Sequence, residues 1–306
     1  MNSSTGLLLA VVFFAVGLVD SGQVARADDT ASQIESVVTR AAPAIVTVKV
    51  VMKTRYTQNG QGQDVESRVN LQGAVVDKSG LVMISNGPFS PARLMGLLGQ
   101  GGAAAKEIKS APVDFKVIFE EEDKEYPAFL AATDSNLDLA FVKVEDLGDK
   151  KLTAIDFSSG ANPTIGQEIV TVSRLEKGYD YAPYILTARI GGIVDKPRKA
   201  YLLSGSGNFG LPMFTLAGET LGVVTTVESG VQSDAGMTDY GTMMRFYSGG
   251  GGLLRAFIVP SAAVSAVIAQ ARVRAVSIAE DRAKKKASGT DTAKKASTTK
   301  SAPAKP

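Results

Sequence analysis

Short runs of β-branched and apolar residues recur along most of the chain, and turn-forming residues separate them. Asp77–Gly80 and Ala217–Glu219 are two such turns. Runs of this length and spacing predict an all-β sandwich or barrel, and no strand–helix–strand alternation indicates a parallel sheet. The predicted strands are Ala44–Met52, Val69–Val76, Leu81–Ser85, Asp114–Phe119, Glu125–Ala131, Leu137–Val144, Glu168–Val172, Tyr184–Ile190, Leu211–Thr215, Thr220–Val227 and Leu254–Val259.

Two helices flank the predicted strands. Thr30 or Ser32 caps a short N-terminal helix that ends near residue 41, before Pro43. A longer helix starts at Ser261 and runs to about Lys286. Its apolar residues recur at helical spacing, which predicts packing against the strands; they are Val264, Val267, Ile268 and Ala271.

The first 27 residues resemble a secretory signal peptide. An apolar run, Leu7–Val19, precedes the small-residue sequence Ala25-Arg26-Ala27, which is typical of a cleavage site. The alternative is an uncleaved membrane anchor, although the run is short for a spanning helix. We expect an exported protein of the periplasm or the extracellular space.

Two long stretches interrupt the strand pattern. Phe89–Pro112 is rich in Gly and Ala and has a candidate helix start at Ser90-Pro91, whereas Ser229–Gly252 ends in four glycines. Long loops on a β scaffold are either functional or mobile surface insertions.

Charge divides the chain into an acidic body and a basic tail. From Arg282 onward there are eight Lys and Arg residues and one acid, Asp291, so the tail carries +7. Because the whole chain carries +2, the rest carries −5. The Lys/Ala/Ser/Thr tail has too little apolar surface to fold alone. It is either a solubilising extension or a segment that contacts an anionic surface.

The absence of histidine and cysteine limits the possible chemistry. The 306 residues contain neither. Ser-His-Asp and Cys-His catalysis, the usual zinc hydrolases and disulfides are therefore excluded within this chain. Carboxylate pairs, Ser-Lys dyads and carboxylate-only metal sites remain open; we predict no cofactor and no metal.

Two segments resemble ligand-binding motifs, one for a dinucleotide and one for a cation. Gly205–Gly210 matches G-x-G-x-x-G, but a strand-like run follows it instead of the helix that a dinucleotide site requires. The acidic run Glu120–Asp123 lies between two predicted strands, where a solvated hairpin tip is the better interpretation. We therefore predict turns at both places.

Several segments, in order, resemble the HtrA/Deg family of trypsin-like proteases. GAVVDKSGLVMISN (Gly73–Asn86) is similar to the family's G-S-G-F-I-I-D-x-x-G-Y-I-L-T-N. LDLAFVKV (Leu137–Val144) is similar to T-D-L-A-V-L-K-I, and SGNFGLPM (Ser206–Met213) to P-G-N-S-G-G-P-L. Weaker likenesses occur at Tyr126–Asp134, Ala217–Thr225 and Arg255–Pro260.

The resemblance implies a double six-stranded β-barrel of the trypsin-like (chymotrypsin) type, and it leaves no sequence for the PDZ domain that many relatives carry. Together with the signal peptide and the basic tail, it gives three predicted parts: a signal peptide (1–27), the barrel domain (28–272), and a helix extension with a disordered tail (273–306). Asp138 matches the family's catalytic Asp, whereas Pro88 stands where the His belongs and Phe209 where the Ser belongs.

These replacements predict that no triad is intact. Proline has no proton acceptor and phenylalanine no nucleophile, so the triad mechanism cannot operate. The groove and oxyanion positions are Gly207, Asn208 and Gly210. Phe209, together with Leu211 in place of a family Gly, predicts a narrowed or plugged cleft.

The resulting expectation is an exported pseudoprotease that binds a peptide or protein partner, and an active protease is one candidate for that partner. Homo-oligomers are a further expectation, and specific nucleic-acid binding is not expected. The alternative is an active peptidase that uses a Ser-Lys dyad, from Ser204 or Ser206 with Lys196 or Lys199.

Overall fold

The computed structural model describes residues 21–58, 61–89, 108–120, 122–226 and 256–298. Twelve strands in these ranges form two closed antiparallel barrels of six strands each. The prediction of a mainly β double barrel with flanking helices is therefore confirmed. The candidate helix at Ser90-Pro91 and the predicted loop Ser229–Gly252 lie outside the described residues.

The first barrel has the strand order β1-β2-β3-β6-β5-β4. β1 and β2 form a long hairpin in continuous register from Ile45↔Ala74 to Gln58↔Gln61. The strands are β1 (Ile45–Gln58), β2 (Gln61–Asp77), β3 (Leu81–Ser85), β4 (Ile108–Phe119), β5 (Tyr126–Asp134) and β6 (Leu139–Val144).

The second barrel has the order β10-β11-β12-β9-β8-β7. Its strands are β7 (Glu168–Arg174), β8 (Pro183–Val194), β9 (Ala200–Gly205), β10 (Pro212–Thr215), β11 (Thr220–Thr226) and β12 (Ala256–Pro260). β9 escaped prediction because its sequence, AYLLSG, runs directly into the Gly-rich segment and lacks strict alternation.

One hydrophobic core continues from the first barrel into the second. Val170, Leu211, Phe214 and Val259 of the second barrel pack in the same buried cluster as the interior of the first. A smaller cluster fills the rest of the second barrel. Since the barrels share core residues, their relative position is set by apolar packing, which stabilises in proportion to the buried area.

Both helices are longer than the sequence predicts. α1 (Ser21–Ala41) begins before Thr30 and Ser32 and ends as predicted, in a 3₁₀ turn that contains Pro43. α2 (Ser261–Thr298) continues past Lys286 into the segment expected to be disordered. Ala and Lys both favour helix, which accounts for the continuation.

The C-terminal helix lies across both barrels. Its buried apolar residues are Val264, Ile268, Ala271 and Ala275. Among the described helices, the part Ser261–Lys285 is long and apolar enough to cross a membrane. The same part packs one face on the barrels, as a core helix of a soluble domain also does.

Candidate functional site

Pro88 lies just after β3, in a 3₁₀ turn formed by Gly87–Phe89. The chain enters this turn from Ser85, whose Oγ accepts a hydrogen bond of 3.2 Å from the Gly87 N–H. The N–H of Asn86 donates to the carbonyl oxygen of Asp138 at 2.9 Å. The turn that carries Pro88 is therefore tied to Asp138 through the backbone of Asn86.

Asp138 is the last residue before β6 and is only 4% exposed. Its φ of 56° lies in the left-handed region, where Asp is tolerated better than most residues. The side chain of Asp134 accepts a hydrogen bond from the Leu137 N–H at 2.8 Å and shapes the turn. Thr225 on β11 donates its Oγ hydrogen to the Leu137 carbonyl at 2.7 Å. Asp138 is thus enclosed at the junction of the barrels.

Close packing at Gly210 places the loop that carries Phe209 against the end of β3. A Cβ at this position would overlap the amide nitrogen of Ser85 and lie 2.8 Å from the Ile84 carbonyl carbon. Its φ of 83° also favours glycine. Phe209, directly before it, is 44% exposed. The structure therefore brings together the three segments that carry Pro88, Asp138 and Phe209.

Asn208 is held by two polar side chains of the second barrel. Its Nδ2 donates to Ser173 Oγ at 2.6 Å and to Tyr184 Oη at 3.2 Å. Ser173 is fully buried on β7. These hydrogen bonds between uncharged side chains fix the loop between β9 and β10 to strands β7 and β8. Sequence patterns do not reveal Ser173 or Tyr184, because both approach the loop only through barrel closure.

Among the described residues, some backbone N–H groups of this loop donate to a backbone oxygen and others do not. The Gly210 N–H donates to the Val224 carbonyl at 2.8 Å, and the Leu211 N–H to the Asn208 carbonyl at 3.1 Å. Within the described ranges, the N–H groups of Gly207 and Phe209 donate to no backbone oxygen. These are the two donors that the resemblance assigns to an oxyanion hole.

Leu211 corrects one expectation about the cleft. It is fully buried and packs in the core shared by the barrels, so its added bulk does not lie in the groove. Phe209 is nearly half exposed, so its ring is not enclosed as a plug either. Leu211 thus lies in the core, whereas Phe209 lies at the surface.

The structure places the lysines of the considered Ser-Lys dyads at one end of β9 and the serines at the other. Lys196 lies in the turn between β8 and β9, at the same end as Lys199. Ser204 and Ser206 are exposed at one end of β9, whereas Lys199 precedes its other end. The Nζ atom of Lys199 lies 5.9 Å from the centre of the Tyr201 ring. At about 3.3 Å per residue, Lys199 and Ser204 are roughly 16 Å apart along the strand, far beyond hydrogen-bond reach.

The other two sequence motifs have structural roles. Gly205–Gly210 connects β9 to β10, so the predicted turn in place of a helix start is confirmed. The acidic run lies between β4 and β5, where Asp123 forms an ion pair of 2.8 Å with Lys177. Among the described residues no group of carboxylates is arranged to hold a metal ion.

Away from these three segments, two cavities lie at the edges of the domain. One, of about 510 Å³, is lined by α1, by Glu120 and Glu122, and by Arg174. The other, of about 280 Å³, is lined by Arg40, Asp156 and the β10–β11 turn. Neither includes a residue of the candidate site.

The sequence matches none of the protein-family models and none of the curated proteins against which it was compared. By its fold, the chain is a double antiparallel β-barrel protein.

Proposed function

We propose that this chain is a catalytically inactive relative of the trypsin-like HtrA/Deg proteases that binds an extended peptide segment of a partner protein. The binding surface is the place where the two barrels meet, around Phe209. The convergence of Pro88, Asp138 and Phe209 on three separate segments carries the proposal. Their order along the chain and their meeting at the junction of two six-stranded barrels agree with the resemblance.

The same convergence argues against proteolysis by a triad. A general base must lie within hydrogen-bond reach of the nucleophile, and neither Pro88 nor Phe209 offers a suitable atom. Asp138 is buried and has no imidazole to orient, because the chain has no histidine. Loss of triad members costs on the order of 10⁴ to 10⁶ in rate.

What remains of the site is suited to binding. Phe209 offers a half-exposed aromatic ring, and aromatic residues frequently dominate binding energy at interfaces. The N–H groups of Gly207 and Phe209 can donate to the carbonyl oxygens of an extended ligand. Main-chain hydrogen bonds of this type supply affinity in strand-addition complexes, while side-chain contacts supply specificity.

Export is part of the proposal and rests on the sequence of residues 1–27. An exported location would expose the site to periplasmic or extracellular proteins, including active proteases. The lysine-rich end of α2 would then be available to an anionic surface.

Peptide binding at Phe209 is tested with a matched pair of variants. The probe is a library of unstructured fluorescent peptides, screened for binding by fluorescence anisotropy. Phe209→Ala should weaken the best binder by at least about tenfold. Tyr179→Ala removes an aromatic residue of 68% exposure elsewhere and should leave affinity unchanged. Equal affinity of Phe209→Ala and wild type would overturn the proposal, as would the absence of any binder.

Inactivity is tested separately with a fluorophosphonate probe, which labels only activated serines. The folded protein should remain unlabelled beside an active serine protease as control. Specific labelling, mapped to Ser204, Ser206 or another serine, would contradict the inactive assignment.

A further inference from the structure

The β1–β2 hairpin extends beyond the first barrel, where one side of β2 has no partner strand among the described residues. β2 pairs with β3 only from Gly73 to Asp77. From Gln61 to Gln72 it pairs only with β1 among the described residues. An unpaired strand edge presents a row of N–H and C=O groups that can accept another strand. We call Gln63–Leu71 the β2 edge.

β4 pairs with the other side of β1 and forms the second edge of this three-stranded extension. This edge is protected against strand addition, because β4 carries Pro112, which has no N–H to donate. The β1–β4 register shifts between Val51 and Met52, so Val113 is bulged out, and it is 55% exposed. Prolines and bulges protect edge strands against pairing. The β2 edge has neither, and its register with β1 is continuous.

The sequence of the β2 edge complements itself. In an antiparallel pair, opposite residues share a face, and hydrogen-bonded and non-bonded pairs alternate along the strand. A two-fold axis between two copies of β2 must therefore pass through a residue, not between residues. An axis through Ser67 places Glu66 of each copy opposite Arg68 of the other. It also places Val65 opposite Val69.

The neighbouring registers are disfavoured by charge. An axis through Glu66 sets Glu66 against Glu66, and an axis through Arg68 sets Arg68 against Arg68. Like charges directly opposite each other destabilise a strand pair, whereas opposite charges stabilise it. Glu66 and Arg68 form no ion pair with a described residue, and both are exposed. Asp64 is already bound by Arg55, at 2.7 and 3.0 Å.

From this self-complementarity we infer that two copies of the chain associate through the β2 edge, in antiparallel register about Ser67. The two first barrels then share one continuous sheet. The association joins surfaces outside the candidate site, so it is independent of the proposed peptide binding. A closed two-fold contact of this kind consumes both edges and stops at the dimer.

Charge reversal tests the register in the purified full chain. Sedimentation equilibrium should show a wild-type dimer. Glu66→Arg turns two attractive pairs into two repulsive ones and should raise the dissociation constant by about tenfold or more. Arg68→Glu alone should do the same. The double variant, Glu66→Arg with Arg68→Glu, restores opposite charges and should restore the dimer. Thermal unfolding of each variant controls for damage to the hairpin.

A cysteine at the axis supplies a second measurement. The chain has no cysteine, so Ser67→Cys introduces a single thiol that meets its own copy at a distance within disulfide range. Mild oxidation should crosslink this variant completely, whereas Val113→Cys on the blocked edge should stay largely uncrosslinked. A wild-type monomer at all soluble concentrations overturns the inference. So does a dimer that ignores charge reversal and crosslinks no better at Ser67→Cys than at Val113→Cys.

Discussion

The Thr225 hydroxyl on β11 donates a hydrogen bond of 2.7 Å to the carbonyl oxygen of Leu137, the residue before Asp138 in the other barrel. Thr225 is 1% exposed. This bond crosses from one barrel to the other next to the enclosed carboxylate. It joins the turn that carries Asp138 to β11, and the Val224 carbonyl of β11 accepts a hydrogen bond of 2.8 Å from the Gly210 N–H of the Phe209 loop. The geometry of the candidate site therefore depends on the junction.

Thr225→Val should therefore affect both stability and the site. The substitution preserves the shape of the side chain but removes its hydroxyl donor, so the buried Leu137 carbonyl loses this partner. We expect a loss of about 1–3 kcal/mol in the free energy of unfolding. Thr171→Val, which removes a bond of 2.7 Å to Pro212 within the second barrel, is the control. Urea denaturation should show similar losses, while only Thr225→Val should weaken peptide binding.

Gly210→Ala should be strongly destabilising. The added Cβ would overlap the Ser85 amide, and the residue would be held at a φ of 83°. Overpacking costs about 1–3 kcal/mol and a left-handed φ about 1–2 kcal/mol more. Gly148→Ala separates the two effects, because φ there is 56° and nothing lies within 4 Å of the new Cβ. Equal losses in the two variants would contradict the close approach of Gly210 to β3.

Much of the strand order was predictable because hydrophobic runs and turns are local signals. The strand predicted at Leu81–Ser85 has the same bounds as β3. The polar half of β2 was missed, since Gln61–Arg68 has few apolar residues and is held by pairing with β1 rather than by burial. The sequence alone therefore shows where strands enter the core but not how far they extend beyond it.

The candidate site was predictable only as three positions along the chain. Motif order identified Pro88, Asp138 and Phe209. It did not identify Ser173 and Thr225, which bind the neighbouring residues Asn208 and Leu137, because these two come from strands that meet the loops only after both barrels close. The buried position of Leu211 was missed for the same reason.

Arg174 is a buried cation that joins the N-terminal segment to the second barrel. Its guanidinium donates to the carbonyls of Ile45 at 2.6 Å, Ala42 at 2.7 Å and Tyr181 at 2.9 Å. Arg174→Met keeps the bulk but leaves these three carbonyls without the guanidinium, and it should cost about 3–5 kcal/mol. Arg189→Met, at an exposed arginine, should cost less than about 1 kcal/mol by the same denaturation assay.

Glu125 should make stability depend on acid pH. Hydrogen bonds from Lys116 and Lys49, each at 2.7 Å, lower the pKa of this carboxyl from 4.5 to about 2. A lowered pKa in the folded state stabilises fully above pH 4.5, and the contribution is lost as pH falls towards 2. Because the side chain is 32% exposed, solvent screening limits it to about 1 kcal/mol.

Glu125→Gln should therefore lower the free energy of unfolding at pH 7 and match wild type near pH 2. Glu280→Gln, on the exposed face of α2, is the control and should differ little at either pH. Added salt should reduce the Glu125 effect at pH 7. A difference that persists unchanged at pH 2 would show that the two lysines do not act through the ionised carboxylate.

Ile268→Ala should show whether α2 serves as a core helix in the folded domain. Ile268 is 3% exposed and packs in the core that both barrels share, so its truncation should cost about 2–5 kcal/mol. Val273, five residues further along the helix, is 74% exposed, and Val273→Ala should change stability by less than about 0.5 kcal/mol. Denaturation in detergent-free buffer measures both variants. If α2 crossed a membrane instead, both faces would meet lipid, and neither truncation would change the stability of the barrels.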